Sequence, residues 1–208
     1  DSVSMTGFSV WENRDEGVLL QGMVLPEAQV CFYGNTFISF RSKVVHRRNH
    51  SPRTRCGLAF LDMEMKDVRS LSYLLANISD PHLYVSREPD MNALWNFLFQ
   101  TGFLYPRKYK MIHEHRESLK ETFRKLYCLH PDIADHFLYQ KDGRIYGHLS
   151  MVRAYERGWV LHHLAALRMG SMRVALALLK QAVQYFEGVH RYPSMRMDYL
   201  IFYYRPEN

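Results

Sequence analysis

The sequence predicts an α+β fold arranged as two domains, and three observations carry that prediction. Residues 1–60 are short β-branched and aromatic runs separated by turn residues. Residues 64–77 switch to a helical period, stopped by Ile78-Ser79-Asp80-Pro81. A second series then runs helix, helix, hairpin, strand, long helix, strand. The domains expected are 1–80 and 91–208, with a linker at 81–90.

In order along the chain, Gly7-Phe8-Ser9-Val10 begins a strand. Val30-Cys31-Phe32-Tyr33 and Phe37-Ile38-Ser39-Phe40 flank Gly34-Asn35, a dipeptide suited to a tight turn. Lys43-Val44-Val45-His46 continues the second arm, and Cys56-Gly57-Leu58-Ala59-Phe60 forms another strand. Between them Arg47-Arg48-Asn49-His50-Ser51-Pro52-Arg53-Thr54-Arg55 is polar, basic and interrupted by proline, so it reads as a loop. Val68, Leu71, Leu74 and Leu75 share one face of the first helix.

In the second series Leu94, Trp95, Leu98 and Phe99 form the apolar face of a helix over 90–102, and residues 113–128 a more charged one. Asp142-Gly143 signals a hairpin between His136-Phe137-Leu138-Tyr139 and a strand over 145–152. Residues 159–167 form the next strand, 171–186 a long helix and 195–204 a last strand.

The composition sets bounds on function. The 208 residues are 47% hydrophobic and 23% charged, enough to build a core, and the net charge of +6 suits anionic partners. Cys31, Cys56 and Cys128 are widely spaced and form no CxxC pair, so no disulfide framework or zinc site is expected and the reading is a cytoplasmic protein. No apolar run reaches the length of a membrane span, and no helix-turn-helix, zinc or RNP-type signature points to DNA.

Two stretches resemble known families. Ser2-Val3-Ser4-Met5-Thr6-Gly7 resembles the Asp/Asn-x-Ser-x-x-Gly motif of PilZ domains, with Ser2 in place of the acid or amide, and Gly57-Leu58-Ala59-Phe60 resembles that family's closing strand. The resemblance implies an antiparallel β-barrel with a closing helix, a bacterial source, and cyclic di-GMP as a ligand of Ser2, Ser4 and Gly7. The family's arginine pair would precede Asp1. The arginines at 47, 48, 53 and 55 attract phosphate without matching that pair by position.

From about residue 91 the element order resembles the GNAT acyltransferase fold. In that family a strand leads through a glycine-rich turn to a helix N-terminus that holds the donor's pyrophosphate. Here Arg168-Met169-Gly170-Ser171-Met172-Arg173 occupies that place, with Met172 where the family has a small residue. The resemblance implies an acyl-donor site at Arg168, Gly170, Ser171 and Arg173, served by acyl-coenzyme A or by an acidic acyl carrier protein. His162 and His163 are the candidate bases; strand alternation sends them to opposite faces, so at most one lines a cleft centred there. The function expected is a cyclic di-GMP sensor coupled to an acyl-transfer output, or a non-catalytic scaffold that uses the same ligand.

Overall fold

Strand alternation is plainest in the strand Thr36–His50, where Ile38, Phe40, Ser42 and Val44 turn inward and their neighbours face out. A computed structural model of the chain describes residues 2–15, 17–32, 36–84, 89–104, 106–130, 132–167 and 171–202. Two five-stranded sheets organise it. The chain divides into one unit of Asp1–Leu75 with Gln184–Arg196, and another of Ala76–Val183 with Met197–Asn208.

The first unit holds β1 (Val3–Ser4), β2 (Gly7–Asn13), β3 (Val24–Phe32), β4 (Thr36–His50) and β5 (Arg53–Met63), followed by α1 (Met65–Ser79). The sheet order is β1-β2-β5-β4-β3, antiparallel throughout. It is the antiparallel sheet the sequence implies, but β1 and β3 stay at its edges and no pairing among the described residues closes it into a barrel. Phe8, Phe40 and Phe60 pack ring against ring at centroid separations of 4.7–5.4 Å. Gly7 must be glycine because a Cβ there would lie 2.2 Å from the Leu58 carbonyl oxygen on β5.

The arginine-rich stretch expected as a loop is instead a ribbon. β4 and β5 stay paired from Arg47↔Cys56 to His50↔Arg53, leaving only Ser51 and Pro52 as the turn. Continuous backbone pairing sustains it without apolar alternation, because each residue's N–H and C=O find partners across the ladder. The Gly34-Asn35 turn lies outside the described residues.

Residues 184–196 belong to this unit rather than to the one the sequence assigned them. The Tyr192 hydroxyl donates to the Met5 carbonyl, the Ser194 hydroxyl to the Asp62 carboxylate, and the Tyr185 hydroxyl to the Met65 sulfur at 3.4 Å.

The second unit has the order β6 (Leu83–Tyr84), α2 (Met91–Gln100), α3 (Pro106–Ile112), α4 (Arg116–Arg124) with a π turn over Lys125–Leu129, β7 (Ala134–Lys141), β8 (Arg144–Tyr155), β9 (Gly158–Ala166), α5 (Ser171–Val189, whose residues from Gln184 on count with the first unit) and β10 (Tyr199–Phe202). The expected linker therefore carries β6, which pairs with β7, and the charged helix expected over 113–128 is α4 with its π turn, preceded by the separate α3. The strand order is β10-β9-β8-β7-β6. It is antiparallel except for β10, which runs parallel to β9 after the α5 crossover. The β7–β8 turn is the expected one, with positive φ at Asp142 (49°) and Gly143 (75°).

β8 is central, and Ile145 through Val152 is a nearly continuous buried run, as a strand covered on both faces requires. A Cβ on Gly147 would meet Val174 and Leu178, so that face receives α5; the opposite face receives α2 and α4 through Leu94, Phe97, Leu98 and Tyr127. No helix among the described residues is long and apolar enough to cross a membrane.

Candidate functional site

The second sheet gathers three histidines on the face beneath α2 and α4. His136 on β7 lies opposite Ser150 on β8, and Ser150 lies opposite His163 on β9. His148, two residues along β8, completes the group. The Nδ1 atoms of His148 and His163 are 2.8 Å apart. Tyr127 stacks on His136 at 4.6 Å between centroids, and the Phe103 ring meets His163 edge-on at 4.2 Å. All three histidines are buried, His163 least so at 7% exposure.

Register shifts on both sides of β8 accompany this convergence. A regular hairpin about Asp142-Gly143 would set His136 opposite Leu149, on the other face from His148. The register shifts between Tyr139 and Gln140, so His136 meets Ser150 instead. Between β8 and β9 a shift at Arg153/Tyr155 is offset by a second at Ser150/Met151, which leaves His162 as the extra residue and returns His163 to the place opposite Ser150. His162 is exposed.

Burial and the neighbouring imidazoles disfavour the charged form of His148. Burial drives His148 well below the ordinary imidazole value, and repulsion from His136, His163 and His162 lowers it further. One ring of the His148–His163 pair donates through Nδ1 and the other accepts, so at least one is neutral. The Nε2 atom of His148 is buried without a hydrogen-bond partner among the described residues. Among those residues no group of three or more His, Cys, Asp or Glu side chains is arranged to hold a metal ion.

A cavity of about 580 Å³ opens at the carboxyl end of β9. Ala166 and Leu167 wall it on that side, Arg144 and Tyr146 on β8, and Gln100, Thr101 and Gly102 at the end of α2. The Arg144 guanidinium sits 5.4 Å from the Tyr146 ring centroid and faces solvent, without an ion pair among the described residues. α2 is fixed at its other end by Asp90, whose carboxylate accepts the Asn92 and Ala93 N–H groups at 2.8 and 3.2 Å.

Of the acyl-donor residues expected from sequence, Arg168 and Gly170 lie outside the described residues, and Ser171 is the first residue of α5. Arg173 follows in the first turn, close enough to Tyr139 to offset part of the rise that burial and the Asp80 carboxylate impose on that phenol. Arg144 and Tyr146 were not singled out in the sequence, because an exposed arginine at a hairpin carries no local signal.

In the first unit the PilZ-like residues are held by one another. Ser4 Oγ donates to the Gly7 carbonyl at 3.2 Å and lies 3.1 Å from Thr6 Oγ1. Ser2 is joined by Arg55, which donates to its hydroxyl at 3.2 Å and to Ser9 at 3.1 Å. Arg47 pairs with Glu12 at 3.5 Å. These two arginines therefore have fixed partners, which a solvated loop would not give them.

No family model and no curated protein matches the chain. Among solved structures the chain is similar to an aminoglycoside 6'-acetyltransferase type Ii, at 16% identity and a TM-score of 0.35. The match covers 49% of this chain and 57% of that one, so it spans little more than half of the other protein and is too slight to carry an argument.

Proposed function

We propose that the second unit is an acyltransferase-like module that takes its acyl donor at the carboxyl end of β9. The supporting observation is the cavity there, bordered by Ala166 and Leu167 and followed in the chain by the first turn of α5. Ligands of α/β sheets commonly sit beyond the carboxyl ends of strands, and a helix N-terminus favours anions. Arg144 at the rim adds a cation for a coenzyme phosphate or for an acidic carrier protein.

In such a transfer an amine acceptor attacks the thioester carbonyl, the carbon–sulfur bond breaks, and the amine's proton passes to a base or to the leaving thiolate. His162, exposed on β9, is the imidazole proposed for that proton. His163 is spoken for by His148 and sealed by Phe103.

The test is binding of acyl-coenzyme A and of acylated carrier protein to wild type and to Arg144→Glu. Wild type should bind one donor, and the charge reversal should weaken it at least about tenfold at low salt. If neither donor binds wild type, the second unit is a scaffold.

For the first unit we propose cyclic di-GMP as a regulatory ligand. The support is the Ser4/Gly7 resemblance and the direct cross-strand pairing of Arg48 with Arg55, like charges that a phosphate would relieve. Calorimetry should show saturable heat; its absence at tens of micromolar ligand would remove the sensing role.

A further inference from the structure

Where β5 gives way to α1, the first unit holds an open pocket of about 600 Å³. β4 and β5 stop pairing at Phe40↔Met63, and the next N–H along β4, that of Ser39, is taken by Asp67 Oδ1 at 3.3 Å from the first turn of α1. Glu27, Asp62, Glu64 and Asp67 line the pocket, with Arg41 and Lys66 as the cations of its wall. Four carboxylates against two cations leave two negative charges, on a chain whose net charge is +6.

Two of the carboxylates are engaged. Glu64 holds the Lys66 ammonium at 2.8 Å, and Asp62 accepts the Ser194 hydroxyl and the Met63 N–H. Asp67 is different. It is 5% exposed, and its Oδ2 atom has no hydrogen-bond partner among the described residues. A helix start favours a carboxylate, yet a buried acceptor left unpaired is costly. Burial pushes the Asp67 carboxyl above its ordinary value, and the Ser39 N–H and Lys66 offset that only in part. Glu27 is exposed, has no ion pair among the described residues, and is placed by a bulge: Pro26 and Glu27 stand opposite Arg41 alone, between the pairs Leu25↔Ser42 and Ala28↔Phe40. Among the described residues no three such side chains are arranged to hold a metal ion, so these carboxylates do not converge on one point. They suit a ligand whose positive charges lie apart on hydrogen-bond donors.

We propose that this pocket binds a short aliphatic diamine, one ammonium group at Asp67 Oδ2 and the other at Glu27. An ammonium has three donors and no acceptor, which matches an orphaned carboxylate oxygen. Two ammonium groups also equal the two uncompensated charges. The proposal rests on neither the acyl donor nor the nucleotide, both of which are anions.

The experiment is calorimetric titration of the full chain at low salt with putrescine, butylamine and Mg²⁺. Putrescine should bind saturably and at least about tenfold more tightly than the monoamine. Asp67→Asn, which keeps the side chain's shape, should weaken both amines at least about tenfold. Glu27→Gln, at an exposed position, should weaken putrescine and leave butylamine unchanged. Absence of saturable putrescine binding to wild type up to about 10 mM overturns the proposal. So does an Asp67→Asn protein, native by circular dichroism, that holds putrescine as tightly as wild type, or a Glu27→Gln protein that does the same. Displacement of putrescine by an equal concentration of Mg²⁺ would make the pocket a metal site and overturn it as well.

Discussion

His148 and His163 share a hydrogen bond between their Nδ1 atoms, 2.8 Å long, in the apolar space between the second sheet and its α2–α4 cover. A protonated His148 would face three other imidazoles without solvent to screen it.

Acid should therefore destabilise the second unit earlier than carboxylate titration would. The His148 pKa is depressed in the folded state, so between that value and about 6.5 the unfolded chain binds the proton and the folded chain does not. Stability is full above about 6.5 and falls as the pH drops below it, by up to about 1.4 kcal/mol per pH unit. Denaturant unfolding of wild type and His148→Leu from pH 8 to pH 5 measures it, and the wild type should show the steeper loss. Equal slopes in the two proteins would show that His148 is not the group responsible.

Gly7→Ala should cost about 2 kcal/mol or more, because the added methyl meets the Leu58 carbonyl oxygen, a backbone atom with little room to give. Ser4→Ala removes only exposed hydrogen bonds and should cost less than about 1 kcal/mol. Urea midpoints separate the two. A loss of nucleotide binding in Ser4→Ala would accordingly speak about a ligand, whereas the same loss in Gly7→Ala would speak about strand packing.

Asp90→Ala should destabilise by about 1 kcal/mol, the ordinary value of an N-cap. Since the end of α2 and the residues after it, Gln100, Thr101 and Gly102, line the cavity proposed for the donor, donor affinity should fall along with the thermal midpoint. Unchanged stability would mean that the helix start is held by its packing alone.

Where local chemistry decides structure, the chain could be read directly. Asp142-Gly143 demanded its turn, and the apolar spacing of Val68 and Leu71 or of Leu94 and Leu98 demanded helices that bury those residues. Register could not be read in the same way. A single extra residue on β8 decides whether His136 joins His148 or faces away, and two offsetting shifts between β8 and β9 decide between His162 and His163. Nothing in these short segments marks a bulge, because its cause lies in the layers packed above and below. The ribbon from Arg47 to Arg55 was missed because side-chain polarity says nothing about a ladder held by backbone groups.

The bond from Tyr192 to Met5 joins residues 187 positions apart in sequence. During synthesis the ribosome releases all five strands of the first sheet long before Tyr185, Tyr192 and Ser194 exist, so Met5, Met65 and Asp62 must wait for partners made near the end of translation. The second unit is threaded entirely within that interval, apart from its last strand. A gene fragment ending after α1 would encode a sheet that lacks its final contacts. The two units are therefore not beads that recombination could exchange one at a time; a cut between them on the gene leaves the first one incomplete.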